Sequence, residues 1–300
     1  MFSHMNKEGR GKMVDIGKKD DTNRIAKAHG YVFMSKDTLD KVIDGEVKKG
    51  DVLQIAQIAG IMAAKNTYQL IPLCHPILIT SVDLTYDINK EEASIEIISE
   101  VKTVGKTGVE MEAMQAVTSA ALTIYDMCKG IEKGIIIGEI SLIEKSGGRS
   151  GKWKPELIAE GKILNLAISS IKGDDKTPVD SVTIIENYGI ENDVHAGGKT
   201  KQVSLFAVET LKYVPSNKMI DVVKGKFTEN ITIVGIPIFM ITPGKRIRIN
   251  DVVLEIESIG KEEFVDDGRR YIVSRKGIFT HVIKGGNVKA GDCIGIINDI

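Results

Sequence analysis

The hydrophobic positions of this chain change period part-way along it. Residues 1–30 are polar and supply one short apolar segment, Met13-Val14-Asp15-Ile16. Asp51-Val52-Leu53-Gln54 has the form of a capping box, in which an acidic side chain accepts from a free N–H of the first helical turn. Ile55, Ile58 and Met62 follow at helical spacing and predict a helix there. Ser81 to Ile88 alternates, with Val82, Leu84, Tyr86 and Ile88 on one face, and Glu92 to Val101 repeats the alternation more loosely. Asn89-Lys90-Glu91 between them predicts a hairpin turn. Residues 109–128 are alanine-rich, apolar at Ala113, Val117, Ala120, Ile124 and Met127, and closed by Lys129-Gly130, which predicts a long helix. Ile135–Ile137 and Ile140–Ile143 predict further strand. Strands in a hairpin with helices against one face make an α+β layer.

Beyond Ser146-Gly-Gly-Arg-Ser-Gly151 the texture changes. A fresh strand is predicted at Lys162 to Ile168, then short β-branched runs at Ser181–Ile185, Ile231–Val234, Arg246–Ile249, Val252–Ile256, Ile278–Ile283 and Cys293–Ile297. Only Ser204 to Tyr213 reads as helix. Two domains are therefore expected, 1–150 and 160–300, with 151–159 as linker; the second is a small β-barrel or sandwich-like domain.

Composition narrows the class. Forty basic and 41 acidic residues leave a net charge of −1, so no nucleic-acid or membrane-surface partner is demanded. Cys74, Cys128 and Cys293 are too few and too far apart for a disulfide framework, and no Cys/His spacing suggests a metal site. The opening residues lack the apolar core of a signal peptide, and no apolar run is long enough to span a bilayer. A cytoplasmic protein is expected.

The candidate chemistry lies in four phrases of the first domain. In Ile71-Pro-Leu-Cys-His-Pro76 a thiol and an imidazole stand side by side between two prolines that fix the backbone. The others are Lys106-Thr-Gly-Val-Glu-Met-Glu-Ala113, Ile124-Tyr-Asp-Met-Cys-Lys129 and Lys145-Ser-Gly-Gly-Arg-Ser-Gly151. Each has a plain alternative. Glu110 fits a capping box from Thr107, Lys129 complements a helix C-terminus, and Cys74 fits a small buried apolar residue. Lys145 and Arg149 around a glycine turn suit an oxyanion, or the turn is a flexible linker. The long helix also acts as a ruler. Glu112 and Asp126 share nearly one azimuth, but fourteen residues separate them by about 21 Å. They serve different sites, or a neighbouring subunit supplies one of them; symmetric assembly favours the second.

These phrases, with Met13-Val-Asp15, Lys49-Gly-Asp51-Val, Ile58-Ala-Gly-Ile61 and Ala120-Ala-Leu-Thr123, resemble the cyclic pyranopterin monophosphate synthase family of molybdenum cofactor biosynthesis. The resemblance implies a ferredoxin-like domain, an antiparallel sheet with helices on one face. It implies a homo-oligomer, a hexamer with sites at subunit interfaces. It implies an enzyme that rearranges a cyclised dihydro-GTP, closes a cyclic phosphate and releases diphosphate, with no cofactor or metal required. Lys49, Asp126 and Lys129 would be catalytic. Leu73, Cys74, His75, Glu110, Met111 and Glu112 would line the pocket, and Lys145 and Arg24 would hold phosphate. A lysine base at neutral pH is expected to have a lowered pKa.

The second domain carries Gly189-Ile-Glu-Asn-Asp-Val-His195-Ala-Gly197, Gln202-Val-Ser-Leu205, Phe227-Thr-Glu-Asn230 and Gly277-Ile-Phe279. These resemble the MOSC domain of cofactor sulfurases, which implies a β-rich domain that binds or hands on molybdenum cofactor or its sulfur. Many such domains carry a cysteine before the Gly-Ile-Phe segment; Lys261 to Lys276 contains none, and Cys293 is expected to be buried. His195, Lys199, Lys201 and Gln202 are the candidate ligand residues there. Two other readings stay open: a cofactor carrier or sulfur-transfer protein with the synthase fold as scaffold, and a hydrolase using Cys74 and His75.

Overall fold

The computed structural model describes residues 8–90, 92–171, 176–213, 229–260 and 277–298. The chain divides into two compact units, Met1–Pro155 and Glu156–Ile300.

The first unit runs β1 (Thr22–Phe33), α1 (Lys36–Ile43), α2 (Val52–Lys65), α3 (Thr67–Leu70), β2 (Ile79–Asn89), β3 (Ser94–Gly105), α4 (Glu110–Cys128) and β4 (Ile136–Ser146). The sheet order is β2-β3-β1-β4, all antiparallel, which is the ferredoxin-like arrangement. The long helix α4 packs on β1, β3 and β4, and α2 packs beside it over β2. Alternation places Ala26, Ala28 and Val32 of β1 and Ile95, Ile97 and Val101 of β3 in one buried cluster with Ala113, Ala116, Val117, Ala120 and Ile124 of α4.

Strand β1 is a correction to the expectation for residues 1–30. It is the central strand, yet its core face is built from Ala26, Ala28 and Gly30, which have low β propensity and give no apolar alternation. Small residues are needed because α4 comes close. A Cβ on Gly30 would stand 2.8 Å from Cγ1 of Val117 and 2.8 Å from Cγ1 of Ile140. Gly30→Val is therefore expected to cost about 1–3 kcal/mol by overpacking, read as a lower thermal midpoint of the full chain.

Several local expectations hold, and others shift. Asp51 caps α2, its carboxylate accepting from the Gln54 N–H at 3.0 Å. Ile55, Ile58 and Met62 of α2, however, point outward, with Ile58 62% exposed, while Val52, Ala56, Gly60 and Ala64 face the core. The two runs at 135–143 are one strand, β4, with register shifts opposite Lys27/Ala28 and His29/Tyr31. The predicted turn at 89–91 includes Glu91, outside the described residues. The capping box at Thr107 does not form: the N-cap is Val109, without a side-chain bond.

The second unit is a barrel. Strands β5 (Leu157–Ile168), β9 (Val203–Ala207), β10 (Ile231–Val234), β11 (Arg246–Ile249), β12 (Val252–Ile259), β13 (Ile278–Lys284) and β15 (Cys293–Ile297) follow the order β10-β9-β13-β12-β11-β15-β5. Pairing of β10 with β5 closes the ring, and β6 (Thr177–Val179) hangs on β5. A separate three-stranded sheet joins β14 (Gly286–Lys289), β7 (Ser181–Ile185) and β8 (Gly189–Ile190). Alternation is plain in β7 and β11, where Val182, Ile184, Ile247 and Ile249 are buried. Closure removes the exposed edges that such short strands would otherwise present.

Two expectations fail here. Ser204 to Ala207 is strand, and only Val208–Tyr213 is helical, as 3₁₀. Val203, Leu205, Phe206 and Ala207 are all buried, so pairing on both sides within the barrel overrides their local helical pattern. Cys293 is exposed rather than buried, because it opens β15 while Ile294 and Ile296 point inward. The segments 214–228 and 261–276, which include Phe227 and the position of the missing cysteine, lie outside the described residues.

Candidate active site

Two clusters of charge stand at opposite ends of α4. At its C-terminal end, Lys49 in the turn before Asp51 donates to the main-chain carbonyl of Asp126 at 2.6 Å and to Oδ2 of its side chain at 3.1 Å. Lys129, the C-cap, reaches Oδ1 of Asp126 at 2.6 Å. One carboxylate thus holds two amines, and Lys49 also satisfies a free carbonyl of the last helical turn. The hydrogen bond from Lys129, then that from Lys49, lowers the pKa of Asp126. The same bond raises the pKa of Lys129, opposite to the lowered amine expected of a base. All three side chains are about half exposed in the protomer, so the cluster adds little to stability. Its net positive charge is available to an anionic ligand.

The other cluster surrounds the N-terminal end of α4. Glu110, at the first helical position, pairs with Lys145 of β4 at 3.2 Å. Glu112 is only 3% exposed, and burial pushes its pKa up to about 7. Cys74 is half-buried; burial, then the nearby Glu112 charge, pushes its thiol up. His75 directs Nε2 to the Val14 carbonyl at 2.8 Å, so that nitrogen is the donor and Nδ1 stays free of it. A thiol held toward its neutral form does not suit a thiolate nucleophile, and the hydrolase reading is set aside. Leu73 and Met111 are exposed.

Arg24, on β1, donates through Nε to the Gly105 carbonyl at 2.8 Å. Its guanidinium lies beneath the turn at Gly147 and Gly148, whose φ angles are 98° and 70°. A Cβ on Gly148 would stand 2.3 Å from Nη1 of Arg24, so the turn needs glycine for its sign of φ and for space. Lys145 and Trp153 exchange backbone bonds at 2.8 Å each and close this loop. That role of Trp153 left no signal in the sequence. Lys145, Arg24 and the glycine turn form a basic cradle suited to phosphate oxygens.

In one chain, then, Lys49, Asp126 and Lys129 meet, and Arg24, Glu110 and Lys145 gather near the opposite helix end. The continuous helix between Glu112 and Asp126 keeps the groups about 21 Å apart.

In the barrel unit, the exposed loop before β9 carries His195, Lys199 and Lys201. The amine of Lys201 lies 5.2 Å from the Phe279 ring centroid. Gln202 does not belong with them. It is buried, its carbonyl accepting from the Val282 N–H at 2.9 Å and its amide donating to the Gly198 carbonyl at 3.0 Å, so both ends tie the loop to the barrel. Among the described residues no group of three or more His, Cys, Asp or Glu side chains could hold a metal ion, and no helix is long and apolar enough to cross a membrane.

Comparison with known proteins agrees with the first unit's geometry. The MoaC family matches residues 13–148. A cyclic pyranopterin monophosphate synthase of Thermoanaerobacter sp. is 55% identical over 156 residues, 52% of this chain and 99% of that protein. The synthase of Clostridium acetobutylicum is 53% identical over 154 residues, 51% of this chain and 96% of that protein. Among solved structures, the YUAD protein of Bacillus subtilis aligns with 46% of this chain and 95% of its own at 18% identity and a TM-score of 0.34. With nearly the whole length of those synthases reproduced in its N-terminal half, the chain belongs to the MoaC family.

Proposed function

We propose that the N-terminal unit converts a cyclised dihydro-GTP to cyclic pyranopterin monophosphate with release of diphosphate, in pockets shared between neighbouring subunits of a hexamer. The observation that carries this reading is Asp126 holding Lys49 and Lys129 at one end of a rigid helix while Lys145 and Arg24 stand at the other. A triphosphate-bearing substrate needs both sets at once. One chain cannot supply both to one small molecule, but a neighbour related by symmetry can. The outward apolar side chains Ile55, Ile58 and Met62 of α2 are the kind of surface such an assembly covers.

The roles follow from charge. Lys129, kept an ammonium by Asp126, is the proton donor; Lys49 is the second amine of the relay. Lys145, Arg24 and His75 hold phosphate oxygens, and Leu73, Cys74, Met111 and Glu112 line the ring system. The step draws on no cofactor. The barrel unit is read as a MOSC domain that binds a phosphate-bearing pterin, molybdenum cofactor included, with His195, Lys199 and Lys201 facing the ligand. The protein works in the cytoplasm on small molecules.

The full chain incubated with the cyclised nucleotide is expected to release diphosphate, and Lys129→Ala to lower turnover about a hundredfold or more. Intact, folded chain that releases none would leave the carrier reading in its place.

A further inference from the structure

The loop between β8 and β9 presents an imidazole that the synthase chemistry does not use. Oδ1 of Asp193 accepts from the His195 main-chain N–H at 2.9 Å and lies 3.0 Å from His195 Nδ1. The other oxygen accepts from Ser169 N at 3.0 Å, Lys176 Nζ at 2.9 Å and Asn230 Nδ2 at 2.8 Å. Asp193 and Lys176 are both buried, so the carboxylate's charge is matched inside the protein. The donors outweigh the cost of burial and hold this carboxyl down at about 2. Asp193 is therefore an acceptor at both oxygens. A neutral His195 must then carry its proton on Nδ1 and present the lone pair of Nε2 outward. The ring is 44% exposed, and no described residue bonds to Nε2.

The same loop carries two lysines and exposed apolar surface. Lys199 and Lys201 follow on the same loop. Tyr188 lies against Gly197, whose added Cβ would stand 3.2 Å from the ring's Cε2. Tyr188 and Val194 are both exposed. Extra positive charge invites an anion, but an outward lone pair repels one unless the anion brings a proton. Phosphate monoesters can, since their second pKa is about 6 and taking up one proton from solvent near neutral pH costs only about 1.4 kcal/mol. Sulfate and its esters do not.

We propose, building on the reading that the barrel unit binds a phosphate-bearing ligand, that His195 Nε2 is the group that recognises a phosphate monoester, by sharing the proton of its P–OH. Asp193 acts as a positioning residue that sets the tautomer. Lys199 and Lys201 take up the remaining charge, and Tyr188 and Val194 offer apolar surface to the organic part of the ester.

The test uses methyl phosphate and methyl sulfate, each titrated into the full chain near neutral pH and followed at the His195 ring nitrogens by NMR. Methyl phosphate is expected to bind at least about tenfold more tightly than methyl sulfate and to move the Nε2 resonance toward its protonated position. His195→Gln, at a half-exposed site that leaves the fold intact, should abolish the preference. Equal binding of the two esters, an unmoved ring resonance, or a preference that survives His195→Gln would each overturn the proposal. Binding of a pterin phosphate measured alongside separates this from the broader reading. A pterin phosphate bound equally by wild type and His195→Gln sinks the role of His195 alone, and failure of wild type to bind it sinks the broader reading.

Discussion

Lys49→Ala and Lys145→Ala, each nearly inactive by itself, are expected to recover about a quarter of wild-type turnover when mixed and allowed to exchange subunits. The fraction follows from geometry. If each pocket takes the Asp126 cluster from one chain and the Lys145 cradle from its neighbour, a mixed pair has one pocket with both defects and one with none. Random exchange makes half of all pairs mixed, and half of the pockets in those pairs are whole. Lys49→Ala mixed with Lys129→Ala should recover nothing, since both amines sit on the same Asp126 of one chain. The contrast between the two mixtures is the informative result. No recovery by the first, with exchange verified by tagged subunits, would place a complete pocket within one protomer. Recovery by the second would separate the two lysines onto different chains.

What the sequence could reveal divides along physical lines. Helix α4 was readable because its alanine pattern, its length and Lys129-Gly130 all agree, and agreement between levels is what makes a local pattern trustworthy. The barrel strands β10, β11 and β15 were readable to the residue, because each is a short run rich in β-branched residues between turn residues. Strand β1 was not, since its inward side chains are small enough to clear α4 and so carry almost no hydrophobic signal. Strand β9 was mistaken because its burial is decided by strands far away in sequence. The site divides the same way. Spacing along α4 already separated Glu112 from Asp126. Spacing could not show that Lys49, 77 residues from Asp126, would return to it, nor that Gln202 would turn inward to tie its loop.

Glu112→Gln is expected to gain stability and lose activity at once. Burial raises the Glu112 carboxyl from an ordinary 4.5 to about 7. Between those values the folded state keeps a proton that the unfolded chain has released. Stability supplied by Glu112 is therefore full below pH 4.5 and falls as pH rises through about 7. The difference amounts to about 3 kcal/mol above that window. Glutamine fills the same space without a charge to bury. In chains diluted to protomers, urea unfolding at about pH 8 should show Glu112→Gln more stable than wild type, with most of the advantage lost at about pH 5. Turnover should drop at least about tenfold, because glutamine cannot exchange a proton with the substrate ring. A buried acid that weakens the fold at working pH needs a reason to persist, and proton exchange in the pocket supplies one. If the variant is more stable yet turns over normally, Glu112 is only a wall of the pocket. If its stability follows pH as wild type does, another group titrates in that range and the proton assigned to Glu112 belongs elsewhere.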